Sequence, residues 1–300
     1  MGKLKHKLET SSFVVTAEVT PPKGAGVKKL LKNAERLKPL VDAINITDCQ
    51  RALVKMSSLA SSRVLLDNGI EPVFQLTCRD RNRIALQSDL LGAAALGIPN
   101  ILCLTGDPVK AGDCPDAKPV FELESVKLLK LITKLQNGID DNGIKMNAPT
   151  RFLMGSAINP TLRGNSNQLT RMSHKIEAGA RFFQTQANYD LEDFKAFCLE
   201  AKKYNTKILA GILILHSFDS AQYIQENIPG INIPDAILER FKSSKYPLET
   251  GIAIAVESML QLSAVVDGFH VMSIRKEELI ATVLENYYAK SDTQTNSTLR

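Results

Sequence analysis

Glu18, Thr47, Thr77, Asp107, Asn159 and Gln186 share one place in the sequence pattern: each ends or follows a short apolar run of β type. Polar groups delivered at the carboxyl ends of parallel strands meet on one rim, where they can act together on a bound molecule. The chemistry open to such a set is proton transfer by the carboxylates, with amides and hydroxyls hydrogen-bonding a polar substrate or cofactor. Glu18 is the sharpest candidate, because it sits between Ala17 and Val19 and shortly before Pro21-Pro22. Burial at such a place favours the protonated form that a general acid needs. Asp48 and the 216–218 turn complete the rim. Any single one of these residues is as well explained by the loop that starts there, and Asp107 after Thr105-Gly106 also reads as a turn or cap residue.

Other chemistries lose ground on the same residues. Schiff-base lysines sit within strands, whereas Lys145 and Lys207 stand only near strand starts. No GxSxG elbow, P-loop or GxGxxG follows a strand. The cysteines number five, form no CxxC, and include Cys103 inside an apolar strand, so a reduced, cytoplasmic setting is expected. Four scattered histidines without an HExxH or a Cys/His cluster give no reason to expect a bound metal. The net charge of +5 is spread out and lacks the basic stripe and stacking aromatics of a nucleic-acid binder. No run reaches the roughly 18 apolar residues of a membrane span.

The elements that must position this rim follow a βα rhythm of about 35 residues. The central unit runs from Pro72 to Pro108. A strand over 73–77 leads to a helix capped by Asp80, with Ile84, Leu90, Leu91, Ala94 and Ala95 as its apolar stripe. Gly97-Ile98-Pro99 end that helix, and a second buried strand over 101–104 follows. Further strands are predicted over 13–19, 43–46, 152–158, 181–186, 208–215 and 268–274. The intervening helices fall over 27–37, 54–66, 123–135, 167–177 and 191–204, with two or three over 221–265 and one over 277–288. Eight strands alternating with helices predict a single (β/α)8 TIM barrel over residues 13–290. Residues 1–12 read as a flexible basic arm without a signal-peptide core, and 291–300 as a polar, frayed tail. From the residues alone this is a barrel enzyme with an acid–base or polar cofactor site, its reaction open.

The segments AEVTPPKG, INITD, QLTCRDRNRIALQSDLLGAAALGIPNILCLTGDP and KIEAGARFFQTQANYD, in that order, resemble the methylenetetrahydrofolate reductase family. The likeness extends over about residues 13 to 288, and the QLTC…LTGD pair is its most specific part. The resemblance implies a flavin-dependent barrel that reduces methylene-tetrahydrofolate to methyl-tetrahydrofolate, with FAD as the cofactor and FMN as the alternative. It implies that Glu18 protonates a folate nitrogen and opens the five-membered ring to an iminium that accepts hydride. Asp107 would lie beside flavin and pterin and tune the flavin. Thr47, Gln75, Thr77, Thr105, Gly106, Phe121, Asn159, His174 and Lys175 would join it in holding the cofactor, with Lys175 near the phosphates. Gln186 would contact folate, and Phe218 would stack on substrate or nicotinamide. Gln75 and Asn159 stand where relatives carry His, Thr105 where some carry Arg, and His174 where a basic neighbour of Lys175 is common. The electron source is then NADH, NADPH or a redox partner subunit, and an oligomer is expected. The chain stops after the barrel, so no adenosylmethionine-binding regulatory domain is expected. Two other readings stand beside this one: a flavin-free pterin-binding methyltransferase, and a barrel subunit of a larger redox complex.

Overall fold

The elements in chain order are α1 (Lys3–Glu9), β1 (Val14–Val19), α2 (Lys28–Leu37), β2 (Ala43–Ile46), α3 (Ser58–Asp67), β3 (Pro72–Thr77), α4 (Arg83–Ala95), β4 (Asn100–Leu104), α5 (Ser125–Gln136) and β5 (Leu153–Ile158). They continue with α6 (Gln168–Glu177), β6 (Phe182–Thr185), α7 (Leu191–Ala201), β7 (Lys207–Leu213), α8 (Phe218–Asn227), α9 (Asp235–Lys242), α10 (Pro247–Leu262), β8 (Gly268–Met272) and α11 (Glu278–Thr298). This computed structural model describes residues 2–162 and 167–298, with side chains described as far as residue 293. Each strand pairs in parallel with its sequence neighbours, and β8 closes on β1, so the sheet is the expected single (β/α)8 barrel.

Strand periodicity divides the apolar residues between two cores. Val15, Ala17 and Val19 of β1, like Ile101 and Cys103 of β4, point outward into the layer between sheet and helices. Val14, Ala43, Val73, Leu102, Leu153, Phe182 and Leu209 point inward and fill the amino-terminal end of the barrel. Phe182 fits there because β5 offers Gly155: a Cβ on that residue would lie 2.3 Å from the Phe182 ring.

The amino-terminal segment is not the flexible arm its composition suggests. Residues 3–9 form α1, and Leu4 and Leu8, spaced by one helical turn, are buried against the inward-facing apolar layer. Glu71 caps the helix, accepting from the backbone N–H of Lys3 at 2.5 Å and of Leu4 at 3.1 Å. Lys3 and Lys7 both reach the buried carboxylate of Asp42. Burial works against that charge, yet Lys7, the Val15 N–H and Lys3 outweigh it and hold the carboxyl below its ordinary range. At the other end, α11 carries the helix to Thr298, so most of the expected frayed tail is helical; residues 299 and 300 lie outside the described chain.

Two expectations about α4 are corrected. Its cap is Asn82, which accepts from the Ala85 N–H, because Asp80 is engaged by the guanidinium of Arg79. Its buried face is Leu86, Leu90 and Ala93, while Ile84 is 78% exposed and Leu91 and Ala95 also face outward. The helix at the end of β7 starts earlier than expected, at Phe218, because Ser217 and Ser220 form a reciprocal capping box. Among the described residues no helix is long and apolar enough to cross a membrane.

Candidate active site

Above the apolar floor the barrel interior turns polar. Inward positions carry Thr16 (β1), Asn45 (β2), Gln75 (β3), Gln184 (β6) and His270 (β8), all buried. Asn45 and Gln184 bond reciprocally through their amides at 2.7 and 3.0 Å, and Gln184 also donates to the Thr16 hydroxyl at 3.2 Å. Thr16 Oγ1 lies 2.9 Å from His270 Nδ1. Register explains this contact, since Thr16 and His270 are direct partners in the β1–β8 ladder. The Asn45 and Gln184 amides and the Thr16 hydroxyl thus answer one another, which offsets the desolvation of placing them inside a barrel.

Glu18 stands on this layer, two residues after Thr16 and on the same face of β1. Its carboxylate is 11% exposed, accepts from Gln75 Nε2 at 3.3 Å and Gln50 Nε2 at 3.1 Å, and has His270 Nε2 3.8 Å away. The Glu18 carboxylate thus lies between the polar layer, through Gln75 and His270, and the connection after β2, through Gln50.

The remaining predicted residues divide by position. Asp107 follows β4 at the rim, where it accepts from the Arg51 N–H at 2.7 Å. Gly106 beside it adopts φ +98°, and a Cβ there would lie 3.0 Å from Arg79 Cβ and 3.1 Å from Thr77 Cβ. Glycine is therefore required for both backbone conformation and space. Thr77 gives its N–H and hydroxyl to Asp48, which also pairs with Arg81; Asp48 is thus a buried structural carboxylate that fixes the end of β3. Thr105 is exposed and its hydroxyl accepts from Ser125 N at the start of α5, so the structure uses it as a helix cap. Phe121, half-buried, holds a left-handed φ of +41° where the β4–α5 connection turns down into the helix. Asn159, after β5, approaches Gly230 of the α8–α9 connection. Gln186 follows β6 half-buried, on the same strand face as Gln184. Phe218 packs partly against the apolar cluster under α8, with Lys242 Nζ 5.3 Å over its ring. His174 is exposed on α6, whereas its neighbour Lys175 turns inward and donates to Ala157 O on β5 at 2.7 Å. Burial lowers the Lys175 ammonium to about 8.

Several residues of the site were not singled out from the sequence. His270 had a readable signal, being the polar residue that shares its strand face with Gly268 and Met272 in GFHVM. Arg79 continues the inward series of Gln75 and Thr77; it is 2% exposed and bonded to Asp80, yet its Nη1 lacks a partner among the described residues. Gln50 and Arg51 lie in a connection whose backbone has no sequence signature. The Thr47 hydroxyl at the end of β2 is also buried without a partner among the described residues. Two orphaned donors, a close-approach glycine and an inward lysine suit a group rich in carbonyl and phosphate oxygens, as a flavin nucleotide is. Among the described residues no group of three or more His, Cys, Asp or Glu side chains is arranged to hold a metal ion.

The family profile described as methylenetetrahydrofolate reductase matches residues 3–288. The 5,10-methylenetetrahydrofolate reductase of Pectobacterium carotovorum subsp. carotovorum is 26% identical over 232 residues, covering 75% of this chain and 72% of that protein. Methylenetetrahydrofolate reductase 2 of Schizosaccharomyces pombe is 26% identical over 242 residues, covering 72% of this chain. The aligned part is 36% of that protein, and 47% of methylenetetrahydrofolate reductase 1 from the same organism, so the chain matches less than half of either. In fold it is similar to an uncharacterized protein from Clostridium thermocellum that binds two copies of 5-methyl-5,6,7,8-tetrahydrofolic acid, with a TM-score of 0.67 at 17% identity over 95% of this chain and 99% of that one. Matched by the profile over nearly its whole length, the chain belongs to the methylenetetrahydrofolate reductase family.

Proposed function

We propose that this barrel reduces 5,10-methylenetetrahydrofolate to 5-methyltetrahydrofolate, with Glu18 as the acid and a flavin bound at the mouth. The observation that carries the reading is the seat of Glu18: a carboxyl group at the end of β1, flanked by Gln75, Gln50 and His270 and facing the rim that Asp107 shares. Family membership and the folate bound by the Clostridium thermocellum neighbour support the substrate. A bound flavin, FAD by preference, would supply hydride.

The chain's own residues then have separable tasks. Glu18 gives its proton to a folate nitrogen as the five-membered ring opens, leaving a cationic iminium carbon that accepts hydride. Gln75 and the imidazole of His270 keep the carboxyl group aimed, and the Thr16–Gln184–Asn45 chain beneath fixes the imidazole. Asp107 shares the rim from the end of β4, where its negative charge would oppose build-up of further negative charge on a flavin held there. Gln186 after β6 and Phe218 after β7 would serve as folate contacts. Lys175, Thr47 and Arg79 offer donors to the cofactor. Electrons would come from NADH, NADPH or a redox partner.

Glu18→Gln keeps the size and hydrogen-bonding reach of the side chain and removes the proton. It is expected to leave flavin reduction near the wild-type rate and to slow folate reduction by about 10²- to 10⁴-fold, measured by anaerobic stopped-flow of each half-reaction. Folate reduction at the wild-type rate would remove Glu18 from the mechanism. Purified protein without flavin even after reconstitution would overturn the reading as a whole.

A further inference from the structure

We propose that the turn over residues 49–52 is a strap across the barrel mouth that must lift before a ligand reaches Glu18, and that Arg51 on Tyr223 is its latch. The strap itself is read from geometry alone; naming flavin and folate as the ligands rests on the function proposed above.

The same four-residue turn occupies both acids of the site. Gln50 Nε2 donates to Glu18 at 3.1 Å and the Arg51 N–H donates to Asp107 at 2.7 Å. A ligand that took Glu18 Oε1 or Asp107 Oδ2 would have to replace one of these bonds. The turn also holds left-handed backbone at three residues that are not glycine: Cys49 at φ +45°, Arg51 at +56° and Ala52 at +55°. Side chains with a Cβ resist this conformation, so the turn keeps it only where surrounding contacts impose it.

Those contacts come from two walls. The Arg51 guanidinium reaches Tyr223 on α8, donating to its hydroxyl at 2.9 Å and lying 5.5 Å over its ring. Because α8 follows β7 and the turn follows β2, this pair ties segments three strands apart around the ring. From the β4 side, Gly112 lies so close that a Cβ would sit 1.9 Å from Ala52 O, and Asp113 accepts from the Val54 N–H at 2.8 Å. Near this turn, the nearly fully buried Arg79 keeps Nη1 without a partner among the described residues. Asp80 holds Nε and Nη2, so one guanidinium nitrogen is short of an acceptor, which a carbonyl or phosphate oxygen of an entering ligand would supply. Apparent affinity is then the intrinsic affinity reduced by the fraction of molecules with the strap lifted.

The test is Tyr223→Phe in the full chain, which removes the hydroxyl acceptor and keeps the ring, with Arg51→Ala removing the whole latch. Hydrogen exchange at amides 49–54 is expected to quicken about three- to tenfold in Tyr223→Phe, and further in Arg51→Ala. FAD association, followed by flavin fluorescence, is expected to quicken by a similar factor. Unchanged exchange in both variants overturns the strap. Faster exchange with unchanged or slower FAD association overturns its gating role. If neither FAD nor 5-methyltetrahydrofolate binds wild type or variants, the reductase reading falls, and the exchange data alone still decide whether Arg51 and Tyr223 latch the turn.

Discussion

Leu4→Ala tests whether the amino-terminal helix is structural. Leu4 is 0% exposed and Leu8 6%, both against the inward layer of Val14, Ala43, Val73 and their neighbours. A seven-residue helix has no stability of its own, so α1 exists only because it docks. Truncating a wholly buried leucine costs about 2–5 kcal/mol, and here the loss has a ceiling, because the helix can peel away instead of preserving a cavity. That ceiling is the docking energy of α1: two leucines at about 1.5–3 kcal/mol each, plus the Glu71 cap at about 1 kcal/mol. The half-exposed lysine pairs to Asp42 add little. Leu4→Ala should therefore cost about 2–4 kcal/mol and Glu71→Ala about 1–2 kcal/mol, with the double variant losing less than the sum, because both act on one docking event. Equilibrium urea unfolding followed by circular dichroism gives all three numbers. A loss under about 1 kcal/mol for Leu4→Ala would refute the reasoning and return residues 3–9 to the status of a loose arm.

Lys175 supplies a pH dependence with a definite sign. Its pKa is lowered to about 8 by burial, so it is charged below that pH and neutral above it. If it serves the cofactor phosphates, flavin affinity is full below about pH 8 and falls as pH rises beyond it, by at most about tenfold per unit. Lys175→Met should weaken binding at pH 7 and flatten the profile, and a parallel profile in the variant would exclude the role. Gly106→Ala should destabilise the fold by about 1–3 kcal/mol in thermal or urea unfolding, because it combines a left-handed backbone with Cβ approaches of 3.0 and 3.1 Å to Arg79 and Thr77. A variant of wild-type stability would show that the β4 rim yields more easily than its packing indicates.

The strands were legible because their apolar runs are short and ended by polar residues, and no packing knowledge is needed to see that pattern. The helix faces were harder. On α4, Ile84 and Leu91 lie at helical spacing as surely as Leu86, Leu90 and Ala93 do, and only the barrel decides which set turns inward. The cap shifted from Asp80 to Asn82 for a similar reason: the adjacent Arg79, buried by its place on the strand face, claims the aspartate. For α1 the one clue was the Leu4–Leu8 spacing inside a basic stretch, which composition alone reads as an arm. Glu18 was visible from its apolar neighbours and the prolines behind it. His270 was visible by strand parity, although only the ladder register shows that it meets Thr16. The turn at 49–52 was not legible, since its left-handed backbone falls on Cys, Arg and Ala, where sequence rules place no such turn.

The polar middle layer explains why the two ends of the barrel are built so differently. Barrels of this fold fill their interior with branched apolar side chains, and here one layer gives that up for Thr16, Asn45, Gln75, Gln184 and His270. A hydrophobic layer at that level would pack as well or better, but it would leave Glu18 without the donors that orient it. The amides answer one another across the barrel, so the layer is a fixed polar floor rather than a set of solvated groups. It stays fixed because the apolar layer and α1 below close the amino-terminal end. Sealing that end makes the carboxyl mouth the route to Glu18, and the mouth is where the 49–52 turn lies. Floor, plug and turn thus act on one residue: the floor aims its carboxyl group, the plug keeps its surroundings dry from below, and the turn decides what reaches it from above.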